Sequence, residues 1–570
     1  MRTRPANGLA KADYLNLMET AVSAYSDKRL ASYLADVEKS GVKEHGFPRL
    51  AANLGLLVAR GRLTEKRELL ARMMTAACRD AAKGEMPPMS GGNEFSVKEL
   101  AFAVAELERS GVYPKSRTDG WRKDLAAISA AKSYTTGCLP TGESRAYNWV
   151  VFAAASEQAR LARGMGGDPA FVERHVADQL RWFDTNGMYK DPEQPMVYDL
   201  VTRLQFASIL SDGYDGPSRG ALEVLMDRSA EPTLKMLSAS GEIPYGGRSN
   251  QFLHNHTFYA ALCEWYAARY AKRGETDRAA AFRLAARTAI EALDPWLVAP
   301  VSHVKNRYPR ETGRGVFSAV GDMGCERYAY FDKYMVTMGS WAALGWLFAD
   351  ESVPAADEDV STHVFELSRA FHRVLMRAGD YSAQLDYDAE VKYDANGVGR
   401  VQRRGAPSAI CLSTPCTWHP NYRIEGTNDA PLAIAPCGPG SFAYVGSRVE
   451  GDCAICESRS ESAIWRMMLS SEGFRTTLEG NGPQSLELPA FAFDGAEETD
   501  VVCDGRKLVV TYGGWTCLYT TDGTILDTGR SACNRNGRYR RFRAKGQDHL
   551  SVTVKIVKSS ARATETFRTF

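Results

Sequence analysis

The sequence lacks any run of about 18 apolar residues, so no membrane-spanning helix is expected. It has no G-x-G-x-x-G stretch and no P-loop. Nothing in it alternates strand with helix, which argues against a dinucleotide-binding sheet or a (β/α)8 barrel. Charge of one sign is also missing: 70 Lys and Arg stand against 69 Asp and Glu, a net +1. No global basic field therefore draws the chain to nucleic acid. The opening MRTRPANGLAKADYLNLMETAV is basic but has no apolar stretch behind it. No secretion signal is read there, and a cytoplasmic protein is expected. The 12 cysteines show no framework spacing, which predicts reduced thiols. Cys453 and Cys456 form a lone C-x-x-C without a second pair, so no metal is expected there.

What is present is helix after helix over roughly the first 375 of 570 residues. Apolar residues recur at helical spacing over 10–25, 49–62, 65–83, 97–110, 146–163, 197–211, 251–272, 277–293, 332–348 and 362–376. Gly-rich breaks such as GMGGDP and SDGYDGPSRG punctuate them. No short consensus period recurs, which disfavours TPR or ankyrin arrays. Paired helices with alternating loops predict an (α/α) toroid over 1–378. From about Gly379 the segments GSFAYVG, SAIWRMMLS, QSLELPAFAF, KLVVTYGG, TCLYTT and LSVTVKIV are short and β-rich. They predict an antiparallel β-sandwich over 379–570.

Polar and aromatic residues concentrate in a few places. In PYGGRSNQFLHNHTFY, glycines precede Arg248, Ser249 and Asn250, and Asn250 is read as a helix N-cap before His254, Asn255 and His256. In the segment 303–334, Lys305, Arg307, Arg310, Arg314 and Arg327 surround Asn306 and Tyr308. Such a cluster suits a carboxylate, with arginine as a bidentate clamp. Glu326, Tyr330 and Asp332 crowd the next helix start, where the two acids serve either as acid and base or as helix-terminus charges. His419, in CTWHPNYRIEG, is a loop histidine of the β-rich part. Asn148, Trp149 and Tyr198 stand at other helix starts.

A helical ring followed by a β-sandwich resembles the layout of several polysaccharide lyases. It is also similar to some toroid glycoside hydrolases, including the glucuronidases of glycoside hydrolase family 154. Heparinase- and alginate-lyase-like enzymes place an Asn or His on one toroid helix, a Tyr about fifty residues later, and a His or Tyr from the sandwich. Here 54 positions separate His254 from Tyr308. The resemblance implies cleavage of a uronic-acid-containing glycan by β-elimination. Asn255 and Arg307 would neutralise the carboxylate, and Tyr308, His254 or His256, and His419 would move protons. Arg248, Asn250, Lys305, Asn306, Asn148, Trp149, Tyr198 and Tyr330 would bind sugar. The alternative is a uronate-releasing hydrolase with two carboxyls drawn from Glu326, Asp332, Asp199 and Glu242. A third reading is a carbohydrate-binding protein without catalysis. Each reading requires a glycan partner and no cofactor, and none requires nucleic acid or membrane.

Overall fold

A computed structural model describes residues 8–84, 92–135, 147–193, 195–250, 252–298, 301–304, 331–389, 394–412, 432–437, 441–495, 497–534 and 536–559. The chain divides into two compact units. One is Met1–Glu231, Phe252–His303 and Ala329–Ala356; the other is Pro232–Gln251, Val304–Tyr328 and Asp357–Phe570.

The helices, in chain order, begin with α1 (Lys11–Ser23), α2 (Asp27–Ser40), α3 (Gly46–Ala59), α4 (Arg67–Lys83) and α5 (Val97–Ser110). Next come α6 (Lys115–Ala126), α7 (Ala130–Ser133), α8 (Tyr147–Ala162), α9 (Pro169–Gln179) and α10 (Met196–Ser211). The last are α11 (Arg219–Arg228), α12 (Ala230–Lys235), α13 (Leu253–Lys272), α14 (Thr276–Glu291) and α15 (Phe331–Phe348). Six of them close a ring: α3 packs on α5, α5 on α8, α8 on α10, α10 on α13, α13 on α15, and α15 back on α3. Outside it, α1 packs on α15 and α3, α4 on α3, α6 on α5, α9 on α8, α11 on α10 and α14 on α13. The first unit is an (α/α) toroid.

Sequence decides which helix is enclosed. α3, GFPRLAANLGLLVA, is buried at every position but its last, and α13 is buried from Leu253 through Ala267. A helix apolar around its circumference must be surrounded. α11 buries only Leu222 and Met226, a single stripe that fits the outer layer. α15 and α1 approach closely at Gly345, where a Cβ would lie 2.3 Å from the Tyr14 ring. Asn53 on α3 donates to the Val336 carbonyl on α15 at 2.8 Å, and Arg49 donates to Thr337 Oγ1 at 2.9 Å. Gly46 at the start of α3 lies against the Asp332 carbonyl at the start of α15, and Asn53 further along meets Gly339 and Ser340, so these two inner helices run in one direction. Inner and outer helices alternate along the chain, so the starts of all six inner helices share one rim.

The second unit contains the strands β1 (His363–Glu366), β2 (Arg373–Ala378), β3 (Tyr381–Asp386), β4 (Gly397–Arg403), β5 (Ala435–Pro436), β6 (Ala443–Glu450) and β7 (Cys453–Arg459). They continue with β8 (Ala463–Ser470), β9 (Gly473–Phe493), β10 (Asp500–Cys503), β11 (Lys507–Tyr512), β12 (Trp515–Thr521), β13 (Thr524–Asn534) and β14 (Gly537–Lys558). β1 to β4 form one antiparallel sheet in sequence order. The larger sheet runs β10-β11-β12-β14-β9-β8-β7-β6, with β13 on β14 and β5 on β9. One core joins them, with Val374, Met376 and Leu385 of the small sheet against Met467, Leu469 and Leu478 of the large one. This is a β-sandwich.

The segment 362–376, expected as a helix, is the β1–β2 pair, with Val364 opposite Met376 and Phe365 opposite Leu375. β2 is buried on both faces, so its apolar run carries no strand alternation and is mistaken for a helix stripe. Cys453 and Cys456 lie three residues apart on β7 and so face opposite sides of the sheet. Among the described residues no helix is long and apolar enough to cross a membrane.

Candidate functional site

The rim where the six inner helices begin gathers polar side chains from each. α3 brings Arg49, α5 brings Lys98 and Glu99, α8 brings Asn148 and Trp149, α10 brings Tyr198, α13 brings His254 and α15 brings Tyr334. Helix starts carry unsatisfied N–H groups and partial positive charge, which favours an anion.

His254 is the best-defined member. Its ring stacks on Phe252 at 5.1 Å and on Tyr334 at 5.2 Å, both with an interplanar angle of 19°. Burial, reinforced by the positive charge of Arg49 and by His303, holds its pKa well below the ordinary histidine value. The imidazole is therefore neutral at pH 7 and can accept a proton. Its Nδ1 has no hydrogen-bond partner among the described residues.

Arg49 interrupts the apolar α3. Besides its bond to Thr337, the guanidinium lies 5.2 Å from the Trp341 ring and 3.8 Å from Glu99 Oε1. Burial lowers its pKa, partly offset by Glu99, Tyr334 and Glu44. Lys98 donates to Gln205 Oε1 at 2.6 Å and lies 5.2 Å from the Trp341 ring. Burial pushes its pKa down to about 8. Arg49 Nε and Nη2, both Glu99 oxygens, Asn148 Oδ1 and Trp341 Nε1 are buried without a hydrogen bond among the described residues. Buried polar groups are nearly always satisfied. Their concentration here marks a place for water or a polar ligand.

The structure places the residues expected from sequence unevenly. His254, Asn255 and His256 all lie buried in the first turn of α13. Successive helical residues are separated by roughly 100°, so the three point in different directions and do not share one face. Asn148 is fixed by Asp191, which accepts from its backbone N at 3.0 Å and its Nδ2 at 2.7 Å. Trp149 packs edge-on to Phe95 at 6.2 Å, and Tyr198 is half-buried on α10. Asp332 gives both carboxylate oxygens to Arg29, at 2.7 and 2.9 Å. Asp199 is bound by Arg203 through two hydrogen bonds of 2.8 and 2.6 Å.

Arg248, Asn250 and Glu242 belong to the second unit. Asn250 is not the N-cap; that position is Phe252, with no side-chain cap. Asn250 instead closes its own loop, donating to the Gly247 carbonyl at 2.6 Å and accepting from Gly246 N at 3.2 Å. Lys305, Asn306, Arg307, Tyr308, Glu326, Tyr330 and His419 lie outside the described residues. Arg49, Lys98 and Glu99 were not anticipated from sequence. An arginine inside the almost wholly apolar, enclosed α3 is the one signal for Arg49.

No family model matches the chain, and no curated protein matches it. Among solved structures it is similar to a mutant of the heparan sulfate lyase HepC from Pedobacter heparinus, with a TM-score of 0.45, 8% identity, and coverage of 90% of this chain and 76% of that one. A baculovirus envelope protein that is a chondroitin lyase also has a TM-score of 0.45 and 8% identity, over 96% of this chain and 83% of its own. A GH127 β-arabinofuranosidase has a TM-score of 0.32 and 9% identity, over 97% and 92%. Likenesses this distant transfer no residue role to this chain.

Proposed function

We propose that the chain is an enzyme that cleaves a uronic-acid-containing saccharide by β-elimination at the rim of inner-helix starts. The observation that carries this is His254: buried, neutral, packed in a three-ring cluster with Phe252 and Tyr334, and within electrostatic reach of Arg49. Arg49, with Nε and Nη2 open, takes the uronate carboxylate side-on. Lys98 adds positive charge. Neutralising the carboxylate makes the C5 proton acidic, and His254 accepts it. The C5–H electron pair becomes the C4–C5 double bond as the C4–O bond breaks, and the departing oxygen takes a proton from an acid. Tyr308 is the candidate acid from the sequence, with His419 as a further proton-transfer candidate and Asn255 and Arg307 as candidates for neutralising the carboxylate.

Hydrolysis needs two carboxyl groups flanking the bond. Asp199 and Asp332 each have both oxygens on an arginine, so neither is placed to act as an acid or base at a scissile bond. This supports elimination over uronate-releasing hydrolysis.

The test is incubation with glucuronate- and iduronate-containing oligosaccharides. Elimination yields a conjugated unsaturated uronate and a rise in ultraviolet absorbance, and His254→Gln should abolish that rise in a folded protein. Because His254 resists protonation, the acid limb of kcat/KM should fall below pH 6.5. Free glucuronate without absorbance would refute elimination in favour of hydrolysis. Glycan bound but unchanged after long incubation would refute both.

A further inference from the structure

At the other end of the same ring lies a cavity of about 540 Å3, a volume typical of small-ligand sites. It is lined by the ends of α8, α10, α13 and α15 and by the start of α11. Arg269 and His254 are 15 positions apart on α13, about 22 Å along the helix, so the cavity is separate from the catalytic rim.

Five cations line it: Arg163, Arg219, Arg269, Lys272 and Arg273. Three carboxylates answer them. Asp212 takes Arg163 at 3.0 Å and Glu223 takes Arg219 at 3.1 Å. Asp227 is shared by Arg269, at 2.8 Å, and Arg273, at 2.8 Å. Lys272 is exposed and has no ion pair among the described residues. The helix dipole accounts for cations at the ends of α8 and α13. It does not account for Arg219, which occupies the first turn of α11, where a cation is disfavoured. Nor does capping explain why the charges converge over a concave space with an apolar wall at Leu347 and Phe348. Trp265 is held in that wall by its indole N–H on Ser211 Oγ at 3.0 Å.

The geometry points to a second binding site for a short anionic saccharide. Its sulfate or carboxylate groups meet Arg219, Lys272 and Arg273, and its ring faces the Trp265–Phe348 wall. That the ligand is anionic rests on the cavity; that it is a saccharide rests on the reading of the catalytic rim. The site gives the enzyme a place to hold product or a distant part of a chain away from the chemistry.

The test is titration calorimetry on the full-length His254→Gln protein, which leaves the probe intact. The probe is a sulfated uronate disaccharide, compared with inorganic sulfate and a neutral disaccharide. Two binding events are expected. Lys272→Glu should weaken one of them at least tenfold and leave the other unchanged. Placed in the His254-intact protein, it should leave the rate on short substrates unchanged. Arg273→Gln should weaken the same event. Since Lys272 is exposed and outside the core, misfolding does not obscure the result. Binding unaltered in both variants would overturn the proposal. Inorganic sulfate binding as tightly as the disaccharide would overturn the saccharide assignment. Lys272-sensitive binding without any ultraviolet product would leave this site standing and refute only the eliminating one.

Discussion

Buried charge occurs in two forms within the helical ring. In its walls three buried pairs complete one another. Arg283 places Nη1 on both oxygens of Glu264 at 2.6 Å, and its remaining N–H groups reach the carbonyls of Leu9 and Val353. Tyr14 completes Glu264 at 2.8 Å. Arg203 and Asp199 pair through two bonds, and Tyr189 N adds a third to Asp199 at 2.6 Å. Arg160 and Glu157 pair, and Glu157 also accepts from Tyr134. At the inner-helix starts, Arg49 and Glu99 are equally buried yet lie 3.8 Å apart without a hydrogen bond. A buried ion pair short of hydrogen bonds costs several kcal/mol. On the proposed function a ligand completes it at the rim, whereas in the walls the fold completes itself.

The largest expected effect breaks a wall pair. Arg203→Met strands Asp199, which is fully buried, and should cost about 3–5 kcal/mol in denaturant unfolding. A loss below about 1 kcal/mol would show that wall and rim charges are alike. The mirror-image change is Arg49→Met. It should lower kcat/KM by roughly 10²–10³ while leaving Tm unchanged or higher, since it removes a charge the fold does not fully satisfy. If Arg49→Met melts the protein as Arg203→Met does, Arg49 is a wall residue and the proposed carboxylate clamp is lost.

The sequence makes the two regions unequally legible. α5 was anticipated to the residue, 97–110, because its apolar stripe and terminal Gly111 agree. The strands of the large sheet were readable where one face is exposed, as in β8 with its alternating burial. The β1–β2 pair was not, because burial on both faces erases the alternation. The His254–His256 cluster was visible as three polar residues beside a glycine turn. Arg49, Lys98 and Glu99 were not visible as a site, because they come from helices far apart in sequence, and their proximity follows only from which helices become neighbours in the ring. The same limit hid the fate of Asp332, held by Arg29 of the distant α2, whereas Asp199 and Arg203 stand four residues apart on α10 and their pairing is legible in the sequence.

The smallest predicted effect is the most discriminating, because stability and activity should move in opposite directions. Burial lowers the Lys98 pKa from 10.5 to about 8. Glu99 at 3.9 Å opposes that shift, and Arg49 adds to it. If the Lys98 ammonium helps hold the anionic substrate, KM should rise as pH passes about 8, approaching tenfold per unit, with kcat nearly constant. Between about pH 8 and 10.5 the unfolded lysine holds a proton that the folded one has released. The Lys98 contribution to stability therefore increases with pH across that window. Weakening activity there cannot come from Lys98-linked unfolding. Lys98→Met should remove the limb and raise KM at every pH, and Lys98→Arg should move the limb beyond the accessible range. An alkaline limb near pH 8 that survives Lys98→Met would assign it to another group and take Lys98 out of the anion-holding set.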